Sequence, residues 1–179
     1  MLTEFLSRRI YLLGFVLLWT FNLLGQSRFV GFEKNEGQFY DQDGKSVPEV
    51  RYVKKPTKQS PLQLQLRNNG FSYELIREQS NAEKSITRVH RIDMDFVLGS
   101  PKDIRESNAV GSRINYYTRG KRIENIKNYS QVLYEEVWPN IDVAFRVNPL
   151  NEEAKYEFRL KPGAKLSDIR FELTGSDDW

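Results

Sequence analysis

The stretch Leu62-Gln63-Leu64-Gln65-Leu66-Arg67 decides the fold, because apolar and polar residues alternate along its whole length. Successive side chains of a β-strand point to opposite faces, so the leucines lie on one face and the polar residues on the other. Asn68-Asn69-Gly70 follows with residues that tolerate positive φ, and Phe71-Ser72-Tyr73-Glu74-Leu75-Ile76 alternates again. The sequence therefore predicts a β-hairpin over residues 62–76.

The same period of two continues toward the C-terminus. Extended segments are predicted at 86–98, 141–147, 155–160 and 170–174, with shorter candidates at 114–117 and 128–134. Residues 99–112 are interpreted as a polar connection that carries at most a short extra element, and 119–127 as a charged spacer. Asn148-Pro149-Leu150-Asn151 predicts the turn of a second hairpin, and residues 166–169 a single helical turn.

Short strands separated by turn residues, without an amphipathic helix, indicate an all-β fold. The two architectures that fit are an antiparallel β-sandwich and a partly open barrel, each built from hairpins. No internal repeat or low-complexity linker divides the chain. We therefore expect one β domain over residues 26–179.

The N-terminus indicates export. Arg8-Arg9 precedes an apolar run over residues 10–24, and the small residue Gly25 follows it, so residues 1–25 are predicted to be a signal peptide and an N-terminal hydrophobic helix. Cleavage is expected near Gly25 and Gln26. The alternative is an uncleaved membrane anchor, because a bilayer core needs about 20 apolar residues. The expected location is extracellular or the outer cell surface, with the periplasm as a further alternative; an uncleaved signal peptide would be the only contact with a membrane.

Composition argues against several classes of function. Removing residues 1–25 leaves 25 basic and 23 acidic residues, a surplus that is interpreted as spread along the chain. A nucleic-acid partner is therefore not expected, since binding needs a clustered basic face. The densest basic spot, Lys54-Lys55 with Lys58, is interpreted as a solvated loop. The chain has no cysteine, which rules out disulfides, thiol catalysis and thiolate zinc sites, and no metal or cofactor is expected.

Three groups of polar residues could carry chemistry. His90 is the only histidine, and neither a triad nor a metal cluster can be assembled around it without further partners, so a packing role is favoured. Asp93 and Asp95 share a strand face about 7 Å apart, which would suit a glycosidase pair, but solvated surface charge is the favoured interpretation. Asp41-Gln42-Asp43-Gly44 resembles the start of a calcium loop without its continuation, and a turn is favoured. No catalytic residue is assigned, and we expect no enzyme activity.

Aromatic residues supply the candidates for ligand binding. Trp138, followed by Pro139-Asn140, could form a platform for a carbohydrate or a peptide, or it could be a buried ring that closes the sheet before a turn. Burial is the favoured alternative. The same two interpretations apply to Tyr116 and Tyr117.

Ordered short motifs also resemble a known family. They are Phe32-Glu33-Lys34-Asn35-Glu36-Gly37-Gln38-Phe39, Arg88 to Phe96, Asn115-Tyr116-Tyr117, Tyr134 to Val143 with Trp138-Pro139 inside it, and Tyr156-Glu157-Phe158 through Pro162-Gly163-Ala164 to Ile169. Together they resemble the N-terminal β domain of large exported bacterial proteins, the domain that precedes SBBP (β-propeller-type) repeats or immunoglobulin-like modules with a type IX sorting signal. The resemblance spans about residues 32–175.

The resemblance implies export and no known catalytic reaction. Members of that family usually continue past this point, whereas this chain ends at Ser176-Asp177-Asp178-Trp179, so it is interpreted as a short or C-terminally truncated relative. The function expected from all of these observations is a non-catalytic structural or interaction module at the bacterial cell surface, in the setting of adhesion. The alternative is a carbohydrate-binding or polysaccharide-processing accessory domain. The expected partner is a cell-surface protein or a glycan.

Overall fold

A computed structural model describes residues 30–80 and 85–175, which form strands, turns and one short 3-10 helix at Leu166–Asp168. The predicted signal peptide and its cleavage site lie outside the described residues. Within the part that is described, no helix is long and apolar enough to cross a membrane. The strands are β1 (Phe32–Lys34), β2 (Val50–Lys54), β3 (Leu62–Arg67), β4 (Gly70–Ser80), β5 (Ser85–Phe96), β6 (Asp103–Thr118), β7 (Lys121–Trp138), β8 (Ile141–Val147), β9 (Ala154–Leu160) and β10 (Phe171–Thr174).

All ten strands belong to one antiparallel sheet in the order β10-β5-β4-β3-β2-β1-β7-β8-β9, with β6 paired to β7. The sheet folds back on itself, since the ring of Phe71 on β4 lies 5.1 Å from Phe145 on β8 and 5.1 Å from Tyr156 on β9, centroid to centroid. The described parts of β9 and β10 do not pair with each other, so the sheet does not close into a barrel. The all-β, antiparallel prediction is confirmed.

The two strongest hairpin predictions are confirmed. Strands β3 and β4 pair from Leu62↔Leu75 to Arg67↔Gly70 around the Asn68-Asn69 turn. Strands β8 and β9 pair from Ile141↔Leu160 to Val147↔Ala154. In β3 the alternation sets which face is buried, since Leu64 and Leu66 are buried and the residues beside them are half-exposed. In β8 the opposite face is buried as well, at Asp142 and Ala144.

The interpretation of residues 99–112 and 119–127 is wrong. Residues 103–112 belong to β6, which runs for 16 residues, and residues 121–127 belong to β7, which runs for 18; only 99–102 and 119–120 lie outside strands. The register of this pair shifts on either side of Ile114, and Asn108, Gly111 and Asn125 adopt positive φ. Each irregularity moves the following side chains to the other face, so the period of two is lost although the strand continues.

The three-residue strand β1 joins the two halves of the sheet. It pairs with β2 through Glu33↔Val53 on one side and with β7 through Glu33↔Asn128 on the other. No alternating pattern predicts so short a strand. Its position in the middle of the sheet gives the segment that follows it, residues 35–47, access to both halves.

The core between the two halves is mainly aromatic and branched aliphatic. Its fully or almost fully buried members are Phe32, Tyr52, Leu64, Leu66, Phe71, Phe96, Val132, Tyr134, Val137, Trp138, Ile141, Val143, Phe145 and Val147. Most of the rings meet edge to face, the arrangement that the quadrupoles of aromatic rings favour.

The basic spot around Lys54 is not a solvated loop. Lys54 is 0% exposed, and its Nζ donates a hydrogen bond of 3.3 Å to the carbonyl oxygen of Ser60. Burial lowers the pKa of this ammonium group, against a smaller opposite effect of Glu152. Only Lys55 and Lys58 are exposed as expected. Lys54 is the last residue of β2, so strand parity places it under the edge of the core rather than in the connection that follows.

Candidate functional site

Trp138 lies in the core and not on the surface. Its side chain is 2% exposed and contacts the rings of Phe96 at 5.3 Å and Phe171 at 5.7 Å. Its Nε1 donates a hydrogen bond of 3.0 Å to the carbonyl oxygen of Val97. A Cβ atom on Gly99 would lie 2.5 Å from the same nitrogen, which explains a glycine at that position. The buried alternative is confirmed, so Trp138 offers no platform to a ligand.

Tyr116 and Tyr117 are separated by the pleat of β6. The side chain of Tyr117 is 70% exposed, and the Arg122 guanidinium carbon lies 5.5 Å above its ring. Tyr116 is half-buried, and its hydroxyl is hydrogen-bonded to the Nζ of Lys55, which also lies 5.0 Å from the ring centroid. Of these two tyrosines, only Tyr117 is therefore available to stack on a ligand without a rearrangement.

The other polar residues that the sequence singled out, Asp41 and His90, lie in a turn and in a strand pair. Asp41 closes its own turn, since its Oδ1 accepts hydrogen bonds from the backbone N–H groups of Asp43 at 3.0 Å and Lys45 at 2.7 Å. The turn interpretation of residues 41–44 is thereby confirmed. His90 is half-buried and pairs with Leu75 across β4 and β5. Among the residues that the structure describes, no group of acidic or histidine side chains is arranged to hold a metal ion.

Asp93 and Asp95 are ion-paired on the outer face of the sheet. Nη2 of Arg67 lies 2.7 Å from Asp95 and 3.5 Å from Asp93, and Nε of Arg91 lies 2.9 Å from Asp93. Partial burial opposes the charge on Asp93, but hydrogen bonds from Ser72 and Arg91 outweigh it and hold the pKa below its usual range. A general acid needs the opposite shift, so Asp93 is suited to recognition rather than to proton donation.

A groove lies on this outer face of the sheet. It has a volume of ≈ 630 Å³, and strands β2 to β5 form its floor while the segment 39–47, here called the loop, forms its wall. We call it the outer groove. Its lining side chains are Phe39, Tyr40, Asp41, Gln42, Asp43, Val47, Val50, Val53, Gln63, Gln65, Glu74, Val89 and Arg91.

Planar polar groups cover the floor of the outer groove. Nε2 of Gln63 donates a hydrogen bond of 2.5 Å to Glu74, and Nη1 of Arg91 lies 3.3 Å from Glu74 and 3.4 Å from the amide oxygen of Gln65. These contacts fix the rotamers of long side chains that would otherwise be mobile, so less conformational entropy is lost when a ligand binds. A carboxylate, a guanidinium group and two amides are thus presented side by side.

Polar side chains of the segment that follows β1 hold the wall of the outer groove in place. Nδ2 of Asn35 donates hydrogen bonds to the carbonyl oxygens of Val47 at 3.1 Å and Val50 at 2.7 Å, which ties the two ends of the loop together. Nε2 of Gln38 donates to Glu33 at 3.0 Å, and Gly37 adopts a φ of 97°. The pattern F-x-x-N-x-G-Q therefore has a structural cause, because each polar residue in it satisfies a backbone or buried group.

The loop is clamped from behind by the β6–β7 hairpin. Residues 121–127 of β7 pair only with β6, so residues 111–127 form a two-stranded ribbon, here called the arm. Arg119 at its tip lies 4.6 Å from the ring of Tyr40, and its Nη1 donates a hydrogen bond of 3.1 Å to the carbonyl oxygen of Gly44. The arm thus contacts the same aromatic wall that faces the outer groove.

A buried carboxylate anchors this clamp. Glu33 is 2% exposed, and its Oε2 lies 2.9 Å from the Nζ of Lys55. Lys55 also lies 5.5 Å from the ring of Phe39. Burial works against the charge of Lys55, but its bonds to Tyr116 and Glu33 raise its pKa above the usual value. One ammonium group therefore joins β1, the loop and the arm.

Comparison with known proteins places the chain in a family. A family model described as a domain of unknown function, DUF7948, matches residues 32–179. The chain belongs to this family. No curated protein and no solved structure matches it significantly. The DUF7948 match begins at the first residue of β1 and includes the whole outer groove, the loop and the arm.

Sequence reasoning did not find the outer groove. Its residues come from separate segments between Phe39 and Arg91 and form no motif, so only the pairing of β2 to β5 brings them together. One signal was available, because Gln63 and Gln65 lie on the polar face of the hairpin that the sequence predicts. The DUF7948 match carries no link to SBBP repeats or to type IX sorting.

Proposed function

We propose that this DUF7948 domain is an exported, non-catalytic interaction module that acts at the bacterial cell surface, in the setting of adhesion. The outer groove is the observation that carries the proposal. It combines an aromatic wall with polar groups that are held in place by one another, which is the usual composition of a recognition site. Export rests on the basic pair and apolar run that open the sequence.

The charges of the outer face favour recognition over catalysis. Glu74 lies 3.3 Å from Arg91, and Asp93 and Asp95 lie within 3.5 Å of Arg67. Carboxylates held beside guanidinium groups in this way present oxygen lone pairs, which suits hydrogen bonding to a ligand. General acid catalysis would require one of them to keep its proton near neutral pH.

The second candidate is a carbohydrate-binding or polysaccharide-processing accessory domain. The observation that favours it is the side-by-side placement of Phe39 and Tyr40 with Gln63, Gln65 and Glu74 around one groove. Sugar rings present apolar faces that pack on aromatic rings, and hydroxyl groups that bond to amides and carboxylates. In this proposal the ligand lies in the outer groove, and Trp138 has no part in binding.

Location and processing can be tested together by intact-mass measurement on periplasm, outer membrane, medium and cytoplasm of the native host. The proposal expects the mass of residues 26–179, or of a product cut within a few residues of Gln26, outside the inner membrane. Recovery of the protein in the cytoplasm alone would overturn it. A full-length mass in the inner membrane would replace the exported module with an anchored one.

The role of the outer groove can be tested with a matched pair of substitutions. Gln65→Trp places a bulky ring in the groove, and Gln131→Trp makes the same change at a half-exposed position of β7 outside it. On a glycan array and on immobilised cell-surface extract, only Gln65→Trp is expected to lose binding, by at least tenfold. Equal losses in both variants, with folding intact by circular dichroism, would exclude the groove. Binding to protein fractions but to no glycan would exclude the carbohydrate candidate alone.

A further inference from the structure

The positive surplus of the chain is concentrated in the arm and not spread along the sequence. The arm carries Arg113, Arg119, Lys121, Arg122 and Lys127 against a single carboxylate, Glu124, so its net charge is +4. The whole chain has 27 basic and 24 acidic residues, a net charge of +3, and everything outside the arm therefore sums to −1. One ribbon supplies the entire excess, contrary to the expectation from composition.

The basic residues of the arm are open to solvent. Arg113, Lys121 and Lys127 are exposed, and the side chain of Arg122, which forms an ion pair with Glu124, retains 65% of its accessible surface. Tyr117 is 70% exposed beside Arg122. The apolar side chains of the arm, Ile114, Ile123 and Ile126, are half or fully buried, so the surface that the arm presents is cationic with one aromatic ring.

We infer that the arm binds an acidic polysaccharide, a sugar chain with a carboxylate on most of its residues. Guanidinium and ammonium groups along a narrow ribbon complement a linear series of carboxylates, and arginine can bind a carboxylate through two hydrogen bonds. The ring of Tyr117 adds a flat apolar surface on which one sugar ring stacks. The choice of a polysaccharide over other polyanions rests on the proposed location at the cell surface.

The arm fits the other polyanionic partners less well. Insertion into a membrane requires large apolar side chains at the tip, and the tip is Thr118-Arg119-Gly120-Lys121. A ribbon that reads DNA enters the major groove with its end free. Here Arg119 at the tip is bound to Tyr40 and Gly44, and Tyr116 is bound to Lys55, so one side of the ribbon is attached to the domain.

The test measures binding of the full chain to polygalacturonate by surface plasmon resonance at low and moderate salt. The arm variant R113Q/K121Q/R122Q/K127Q keeps Arg119, and so keeps the clamp on the loop. The control variant K58Q/R77Q/K155Q/K165Q removes the same charge from exposed positions elsewhere. We expect the arm variant to lose at least tenfold in affinity and the control less than twofold. Tyr117→Ala should lose several-fold at unchanged charge, and salt should weaken wild-type binding because exposed charges are screened.

Several outcomes would overturn the inference. They are no binding by the wild type, equal losses in the two charge variants, and tighter binding to duplex DNA or to phosphatidylglycerol vesicles than to polygalacturonate. The neutral glucan dextran serves as the reference surface, and binding to it at equal strength would also contradict a role for charge. Because these measurements use purified protein, they remain valid if fractionation shows that the protein is not exported, which would overturn only the proposed function.

Discussion

Aromatic rings are used in opposite ways at two places in this molecule. Around Trp138 they pack on one another, with Phe96, Phe171 and Phe158 at centroid distances of 5.3 to 6.3 Å. Around the loop they lie under cations, with Lys55 over Phe39 and Arg119 over Tyr40. The first arrangement removes apolar area from water and stabilises the fold, whereas the second leaves charge at the surface, where a ligand can meet it.

The largest expected effect tests the ring-packed region. Trp138→Ala removes a buried ring and its hydrogen bond to Val97, and we expect a loss of about 3 to 5 kcal/mol in the free energy of unfolding. Tyr117→Ala is the matched aromatic truncation in the arm, and it should change stability by less than about 0.5 kcal/mol. Urea unfolding followed by far-ultraviolet circular dichroism measures both, because Trp138→Ala removes the core tryptophan as a fluorescence probe. Similar losses in the two variants would abolish the contrast between the regions.

The second prediction concerns the buried carboxylate of the clamp. Lys55→Met leaves Glu33, 2% exposed, without its ammonium partner, and we expect a loss of about 1 to 2 kcal/mol. The value lies below that for a fully buried pair because the side chain of Lys55 is 45% exposed.

Lys58→Met is the control for this substitution, because Lys58 is an exposed lysine of the neighbouring connection. A double-mutant cycle with Glu33→Gln isolates the pair energy. A coupling energy near zero would show that the ion pair between Lys55 and Glu33 does not stabilise the fold.

The third prediction uses pH, because the carboxyl group of Asp93 on the outer face titrates in acid whereas the packed rings around Trp138 do not. The pKa of Asp93 is lowered in the folded state, so its stabilisation is present above the unfolded value of about 3.9 and is lost as the pH falls through the folded value. Asp93→Asn should therefore cost about 1 kcal/mol at about pH 7, and this difference should shrink toward zero as the pH falls below the folded pKa of Asp93.

Asp43→Asn, in the exposed turn of the loop, is the control for the pH series and should differ little from the wild type at either pH. Chemical unfolding at a series of pH values measures these differences. A cost for Asp93→Asn that does not depend on pH would mean that Arg67 and Arg91 do not stabilise the charged form.

The smallest expected effect is at the tip of the arm. Arg119→Met removes the cation over Tyr40 and the hydrogen bond to Gly44, and we expect a loss of about 0.5 kcal/mol. The effect should be local: amide hydrogen exchange should be faster in residues 111–127 and unchanged in β8. Lys121→Met, two residues further along at the first position of β7, is the control. Uniform acceleration across the domain would show that the clamp supports the fold as a whole.

The parts of the fold that were predictable are those in which burial follows strict alternation. The hairpins β3–β4 and β8–β9 alternate apolar and polar residues in sequence, which specifies the strands, although β8 is buried on both faces. Strands β6 and β7 escaped prediction because Asn108, Gly111 and Asn125 adopt positive φ and shift the pattern. Lys54 escaped because its burial depends on where β2 ends relative to the core.

The functional region was less predictable than the fold for a physical reason. The outer groove joins Gln65 and Arg91, which meet through pairing with β4, and the loop closes over it only because Asn35 bonds to Val47 and Val50. Such contacts depend on tertiary structure that no local pattern encodes. The basic residues of the arm are present in the sequence, but it is the pairing of β6 with β7 that places them together on one ribbon.

The short central strand β1 sets the order in which the molecule can assemble. Among the strands of the described residues, it alone links the half of the sheet made of β2 to β5 and β10 to the half made of β6 to β9, and its partner Asn128 lies about 95 residues from Glu33 in sequence. Contacts between residues so far apart in sequence form slowly. We therefore expect each half of the sheet to form its own hairpins before the two halves pair. Pulse-labelling of amide hydrogens during refolding should show Glu33 and Asn128 protected after the β3–β4 hairpin. During synthesis the first half-sheet would therefore remain without β10 and without the other half until the C-terminal part of the chain is available.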